Sequence, residues 1–198
     1  MVFYLWISPI NASSIIKTRV DVGCIERDLH IGNIDYGEYK VYPVGDVEVV
    51  IYRRTKSELQ EAKEHSGSIY DDNYPGWWPV KKYPITNELD RRARSVDIEY
   101  FVFWRQGPVY GYFVHYLPNM SLIDFESSED FQYLGRHWKG GFVDMPNQIG
   151  YDSTGRPVAI NVPLSKIDNA GNLPKLNLLV PLYEYSKESK IVYLKCVE

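Results

Sequence analysis

Thiols and imidazoles are the side chains best suited to hold a metal ion or attack an electrophile, and this chain has few of either. They are Cys24 and Cys196, and His30, His65, His115 and His137. A zinc site needs Cys and His in close pairs, because four donors must converge on one ion. Here the cysteines stand 172 positions apart (196 − 24), and no two histidines share a short ligand spacing. His115 lies in the aromatic run VHY, and His137 precedes Trp138 and a double glycine. Each reads first as an ordinary strand or loop residue. A catalytic triad needs a nucleophile held by an oriented base, and no nucleophile elbow is present. Asp124, Glu126, Glu129 and Asp130 cluster in one stretch that reads as a solvated loop. The glycines from 135 to 141 lack the strand-then-helix setting of a nucleotide loop. With no catalytic constellation visible, the sequence does not point to an enzyme.

The cysteines carry one geometric expectation. Cys24 precedes the first strand and Cys196 falls late in the last. If those strands pair antiparallel, the two thiols meet, and a disulfide closing so long a loop would stabilise by roughly 4–5 kcal/mol in the chain-entropy model. That bond requires an oxidising compartment. The alternative is two unrelated buried thiols.

The elements that must position these groups are mostly strands. The chain has 198 residues, enough for one domain with a real core, or one domain carrying a small insertion. It holds 17 Tyr, 5 Trp and 7 Phe, and aromatic and β-branched residues favour half-buried strands. Tyr39–Val44 and Val47–Tyr52 flank Gly45-Asp46 and predict a hairpin. Thr55 with Glu58 three residues on predicts a capping box opening one short helix near 55–66. That helix has only Leu59 and Ala62 as an apolar face, so it belongs on the surface. IEYFVFW (98–104) predicts a buried strand, and further strands are expected at 110–116, 140–143, 157–162, 176–182 and 191–197. Residues 118–137 read as an inserted loop. The expected class is all-β, an antiparallel sandwich or small barrel.

Charge narrows the partners. Lys and Arg total 22 against 26 Asp and Glu, a net −4. That is not the basic excess of a nucleic-acid binder. No stretch approaches the roughly 18–20 apolar residues of a membrane span. Met1–Ile7 reads as a strand or tail, or as the stub of a longer apolar segment with Trp6 at an interface.

An ordered set of short matches adds to this reading. Ile31, Ile34 and Gly37 are followed by a strand, Gly45, a second strand, then Arg53-Arg54-Thr55 and the helix. IEYFVFW and KGGFV (139–143) follow, then Tyr151-Asp152 with Gly155-Arg156, and finally NLLVPLY (177–183). Taken in order over about residues 25–197, these resemble the soluble head of the Rieske iron–sulfur subunit of ubiquinol–cytochrome c reductase. The resemblance implies a Rieske-like β-sandwich over 25–197 with a small inserted, formerly cluster-binding subdomain over 99–156. Residues 1–24 would be a hinge or anchor remnant: WISPINASS (6–14) resembles the start of the family's hinge, so either the anchor is lost or the chain begins within it.

The cluster-binding loops depart from the family pattern at every ligand. In register with the family, the first loop reads GPVYGY (107–112), and Gly107, Val109 and Tyr112 replace Cys, His and Cys. The second reads DMPNQI (144–149), and Asp144, Pro146 and Asn147 replace Cys, Cys and His. A Rieske centre takes two thiolates on one iron and two imidazoles on the other, and Gly and Val have no donor atoms. The expected cofactor is therefore none, and Tyr112 is expected to fill the space of the lost cystine. What remains is a non-redox structural or interaction subunit related to a respiratory cytochrome bc complex. Its expected partners are respiratory-complex subunits or another envelope protein, with Trp77, Trp78, Tyr83, Tyr112 and the Asp124–Asp130 loop as contact surfaces. It would sit in the cell envelope, at the periplasmic or intermembrane-space face of an energy-conserving membrane, with any anchoring through a missing or truncated N-terminal helix. The alternative is a small-ligand or mononuclear-metal binding domain using Asp144, Asn147, His115 and His137.

Overall fold

The chain folds as antiparallel β-sheets with one short helix among the described residues. The computed structural model describes residues 26–64, 94–108, 111–119, 138–160 and 177–195. Among the described residues, ten strands fall into three sheets. The first holds β1 (Arg27–His30), β10 (Ile191–Leu194) and β9 (Tyr183–Ser186), in that order. The second holds β2 (Tyr39–Val44), β3 (Val47–Arg53) and β4 (Tyr100–Trp104). The third runs β5 (His115–Leu117), β6 (Gly141–Asp144), β7 (Ile149–Tyr151) and β8 (Pro157–Ile160) as a meander. It is inserted between β4 and β9 of the other two sheets.

Local chemistry explains most of these elements. Gly45 adopts φ +62 at the β2–β3 turn, a conformation that favours glycine, and Val44 pairs directly with Val47. β3 is a β-branched run with five of its seven residues buried. β4 is buried along its whole length, because both of its faces meet other protein. The helix α1 spans Lys56–Glu64. Thr55 caps it as expected: the Glu58 amide donates to Thr55 Oγ1 at 3.2 Å, and the Thr55 amide donates back to Glu58 Oε2 at 2.7 Å. Ala62 supplies its buried contact.

Three expectations shift. The run over 110–116 gives a strand only from His115, because Gly111 turns the chain and Phe113 makes a lone bridge to Gln106. The stretch 177–182 is buried but makes no ladder, although the Trp104 amide donates to the Leu179 carbonyl at 2.8 Å. The strand there starts at Tyr183. β7 was not expected, since Ile149–Tyr151 was read as loop and motif.

One apolar core joins the three sheets, from Leu29 and Val192 through Ile51 and Phe103 to Phe142 and Ile149. β1 pairs with β10 antiparallel, Arg27 opposite Leu194. The third sheet is fastened to the rest by the loop after β7. Asp152 Oδ1 accepts from Thr154 and from the Arg156 amide, which closes the loop. Its backbone carbonyls then receive buried arginines: Arg54 Nε donates to Ser153, and Arg94 Nη1 to Thr154 and Gly155. Gly155 sits at φ +73, where an added Cβ would lie 2.5 Å from the Phe101 ring. The Tyr-Asp-x-x-Gly-Arg stretch is thus the junction between the third sheet and the remainder.

Candidate functional site

Two loops converge at one tip of the third sheet. The first leaves β4 through Arg105 and Gln106 and returns at Val114. Its neck is tied by Val114 N–H to Arg105 O at 2.8 Å and by Gly107 N–H to Tyr112 O at 2.7 Å. Gly111 closes the bend, with φ +71 and its amide 3.1 Å from Gly107 O. Arg105 braces this neck. Its guanidinium pairs with Glu48 at 2.7 Å and lies 4.8 Å from the centre of the Phe113 ring.

The second loop joins β6 to β7. Asp144 ends β6 with no solvent exposure, and Asn147 returns to it twice. The Asn147 amide donates to Oδ1 at 3.2 Å and its side-chain Nδ2 donates to Oδ2 at 2.7 Å. This is the short-range side-chain bonding to which Asp and Asn are suited in turns. Gln148 completes the turn at φ +53, its amide 3.1 Å from Met145 O. Burial pushes the Asp144 carboxyl above its ordinary value, while the two Asn147 donors and the charge of His115 pull it down less strongly.

The loops meet at Gly107 and Asp144. A Cβ built on Gly107 would lie 2.7 Å from Asp144 Oδ2 and 3.2 Å from the Tyr112 carbonyl. Gly107 is therefore fitted to Asp144: the carboxylate takes the volume that a side chain at 107 would need. Of the four positions that the resemblance aligns with cluster ligands, the structure brings Gly107, Asp144 and Asn147 together, while Val109 lies outside the described residues. Tyr112 does not fill a former cystine. It is 49% exposed, beside Phe113 at 47%, and Met145 on the second loop is 43% exposed. Its backbone carbonyl closes the neck while its ring faces outward.

The other candidates separate. His115 is exposed on β5, opposite Val143, and it reaches Asp144 only through its charge. His30 is exposed on β1, remote in sequence and in sheet from the tip. His65, His137, Trp77, Trp78, Tyr83, Cys24 and Cys196 lie outside the described residues, as do the hinge residues 6–14 and the acidic stretch 124–130. Among the described residues no three His, Cys, Asp or Glu gather as a metal site. Nor is any described helix long and apolar enough to cross a membrane.

Sequence reasoning missed Phe113 and Met145 as exposed groups. A signal existed: Phe113 and Met145 adjoin positions compared with the cluster loops. It also missed a hydrogen bond from a buried tyrosine to a half-buried carboxylate. Tyr52 on β3 donates its hydroxyl to Glu58 Oε2 at 2.6 Å. Glu58 was read only as a helix cap.

No family model and no curated protein matches this chain.

Proposed function

We propose that this chain is a Rieske-fold domain without an iron–sulfur cluster, serving as a structural or interaction subunit related to a respiratory cytochrome bc complex. The observation that carries this reading is that Gly107 and Tyr112 of one loop meet Asp144 of the other at one tip. These loops are the two stretches that the resemblance pairs as cluster loops, and nearly forty positions of sequence separate Gly107 from Asp144. The insertion of β5–β8 between β4 and β9 supports the same reading.

The residues at this tip do not fit a Rieske cluster. Gly107 offers no donor, and a side chain there would collide with Asp144. Both Asp144 oxygens are engaged by Asn147. Hard oxygen ligands are in any case poor substitutes for thiolates in an iron–sulfur centre.

What the tip offers instead is surface. Tyr112, Phe113 and Met145 stand exposed on loops anchored by backbone bonds, so their placement costs little ordering on docking. Aromatic and Met side chains are enriched where proteins meet. Membrane attachment through the N-terminal region, and a location on the outer face of an energy-conserving membrane, belong to the same proposal.

The test is capture of the tagged protein from native membranes after mild cross-linking, with an absorbance spectrum of the purified protein alongside. Cytochrome b and c subunits in the captured set are expected, with a colourless bait. An iron–sulfur spectrum, or capture without those subunits, overturns the proposal.

A further inference from the structure

We propose that Tyr52, Glu58 and Tyr116 form a redox-active tyrosine site, joined to solvent by Tyr39 and able to hold one oxidising equivalent as a neutral tyrosyl radical. The inference is independent of the Rieske reading, since none of these residues lies in the tip loops.

The rings form a continuous path. Tyr39 on β2 is 42% exposed. Its ring centre lies 5.8 Å from that of Tyr116 on β5, and Tyr116 lies 5.2 Å from Tyr52 on β3. The Tyr52 and Tyr116 hydroxyl oxygens are 3.4 Å apart. Such spacings put ring edges near van der Waals contact, where single electron steps need no bridging group. Tyr52 itself is fully buried, among Phe142 and the core.

Glu58 decides where the oxidising equivalent rests. Tyr52 O–H donates to its carboxylate at 2.6 Å, the length of a strong charge-assisted bond. Thr55 holds the carboxylate in place through its amide at 2.7 Å and its hydroxyl at 2.9 Å. Among the described residues, neither Tyr39 nor Tyr116 donates to a carboxylate. Burial opposes a free phenolate at Tyr52, so the proton must leave with the electron.

An outer-sphere one-electron oxidant at the surface takes one electron from Tyr39 and is reduced. Tyr116 refills Tyr39, and Tyr52 refills Tyr116. The oxidised Tyr52 phenol, now a strong acid, passes its proton along the hydrogen bond to Glu58. The products are reduced oxidant, a neutral Tyr52 radical and a protonated Glu58. An electron returned along the same rings by a thiolate or ascorbate, with the proton moving back, restores the site.

The experiment photogenerates tris(bipyridine)ruthenium(III) with persulfate in the presence of the intact protein, and follows the radical by electron paramagnetic resonance. Glu58→Gln is the decisive variant. Gln keeps the capping box and still accepts a hydrogen bond, but cannot take a proton. A long-lived tyrosyl signal is expected in the parent protein. It should shorten on the order of tenfold or more in Glu58→Gln, as for loss of a positioned base. Tyr116→Phe should slow its appearance, and Tyr52→Phe should remove it. Circular dichroism checks the fold of each variant. A signal of unchanged lifetime in Glu58→Gln, or one that forms as fast in Tyr116→Phe, overturns the proposal even if Tyr52→Phe fails to fold.

Discussion

Replacing Gly107 by alanine tests the fit between the two tip loops. The added Cβ would start 2.7 Å from Asp144 Oδ2, about 0.7 Å short of ordinary contact at 3.4 Å. A free carboxylate at the end of a side chain could swing aside cheaply. This one cannot, because Asn147 holds both oxygens and no solvent lies beside it. On the other side the Tyr112 carbonyl, 3.2 Å away, is fixed by the neck hydrogen bond. Gly107→Ala should therefore cost about 1–3 kcal/mol, the range for overpacking a closed site. Removing the carboxylate should relieve most of that strain. In an Asp144→Ala background the same substitution should cost less than half as much, giving a coupling of about 1 kcal/mol or more. The assay is urea unfolding of the four proteins with m-values compared, so that a change in midpoint reports stability. Equal costs for Gly107→Ala in both backgrounds would refute the idea that Asp144 occupies the space at 107.

Asp144 also predicts a pH dependence. Its folded-state carboxyl sits above its unfolded value, so its share of stability is full at low pH and is lost as pH rises through the folded value. Asp144→Asn should match the parent near about pH 3, below the unfolded carboxyl value, and gain on it towards neutrality; unfolding free energies across that range check this, and a widening deficit would count against it. Gly155→Ala forces a Cβ to 2.5 Å from Phe101 at a φ of +73, so about 3 kcal/mol or more should be lost, with soluble expression as the first readout. Changing Tyr112, Phe113 and Met145 together to Ser should lower the thermal midpoint only slightly, since all three are exposed although Arg105 loses its contact with Phe113, while abolishing recovery of the cytochrome subunits. Retained recovery would move the docking surface elsewhere.

How far the sequence reached depended on the range of the interaction involved. The β2–β3 hairpin and the Thr55–Glu58 cap were legible because each is decided within a few residues. So was the burial of β4, whose five residues are all apolar or aromatic. Residues 177–182 look like a strand for the same reason, yet they gain core contacts without a ladder, and composition does not distinguish the two. Ile149–Tyr151 became a strand only because β6 and β8 flank it. At the tip, residue type alone excluded cluster ligands at 107 and 109. That Asp144 is buried, and that Tyr112 points outward, depended on how two distant loops meet. The Tyr52–Glu58 bond was hidden for a different reason: the helix cap was already a sufficient account of Glu58.

The Asp144–Asn147 turn has a consequence for how such a protein comes into being. A tip shaped by a metal cluster must wait for that cluster to be built and delivered before its surface exists. Here the two Asn147 donors and the backbone ties at Gly107 and Val114 shape it from the polypeptide alone. The meeting of Gly107 and Asp144 is therefore in place as soon as the chain has folded.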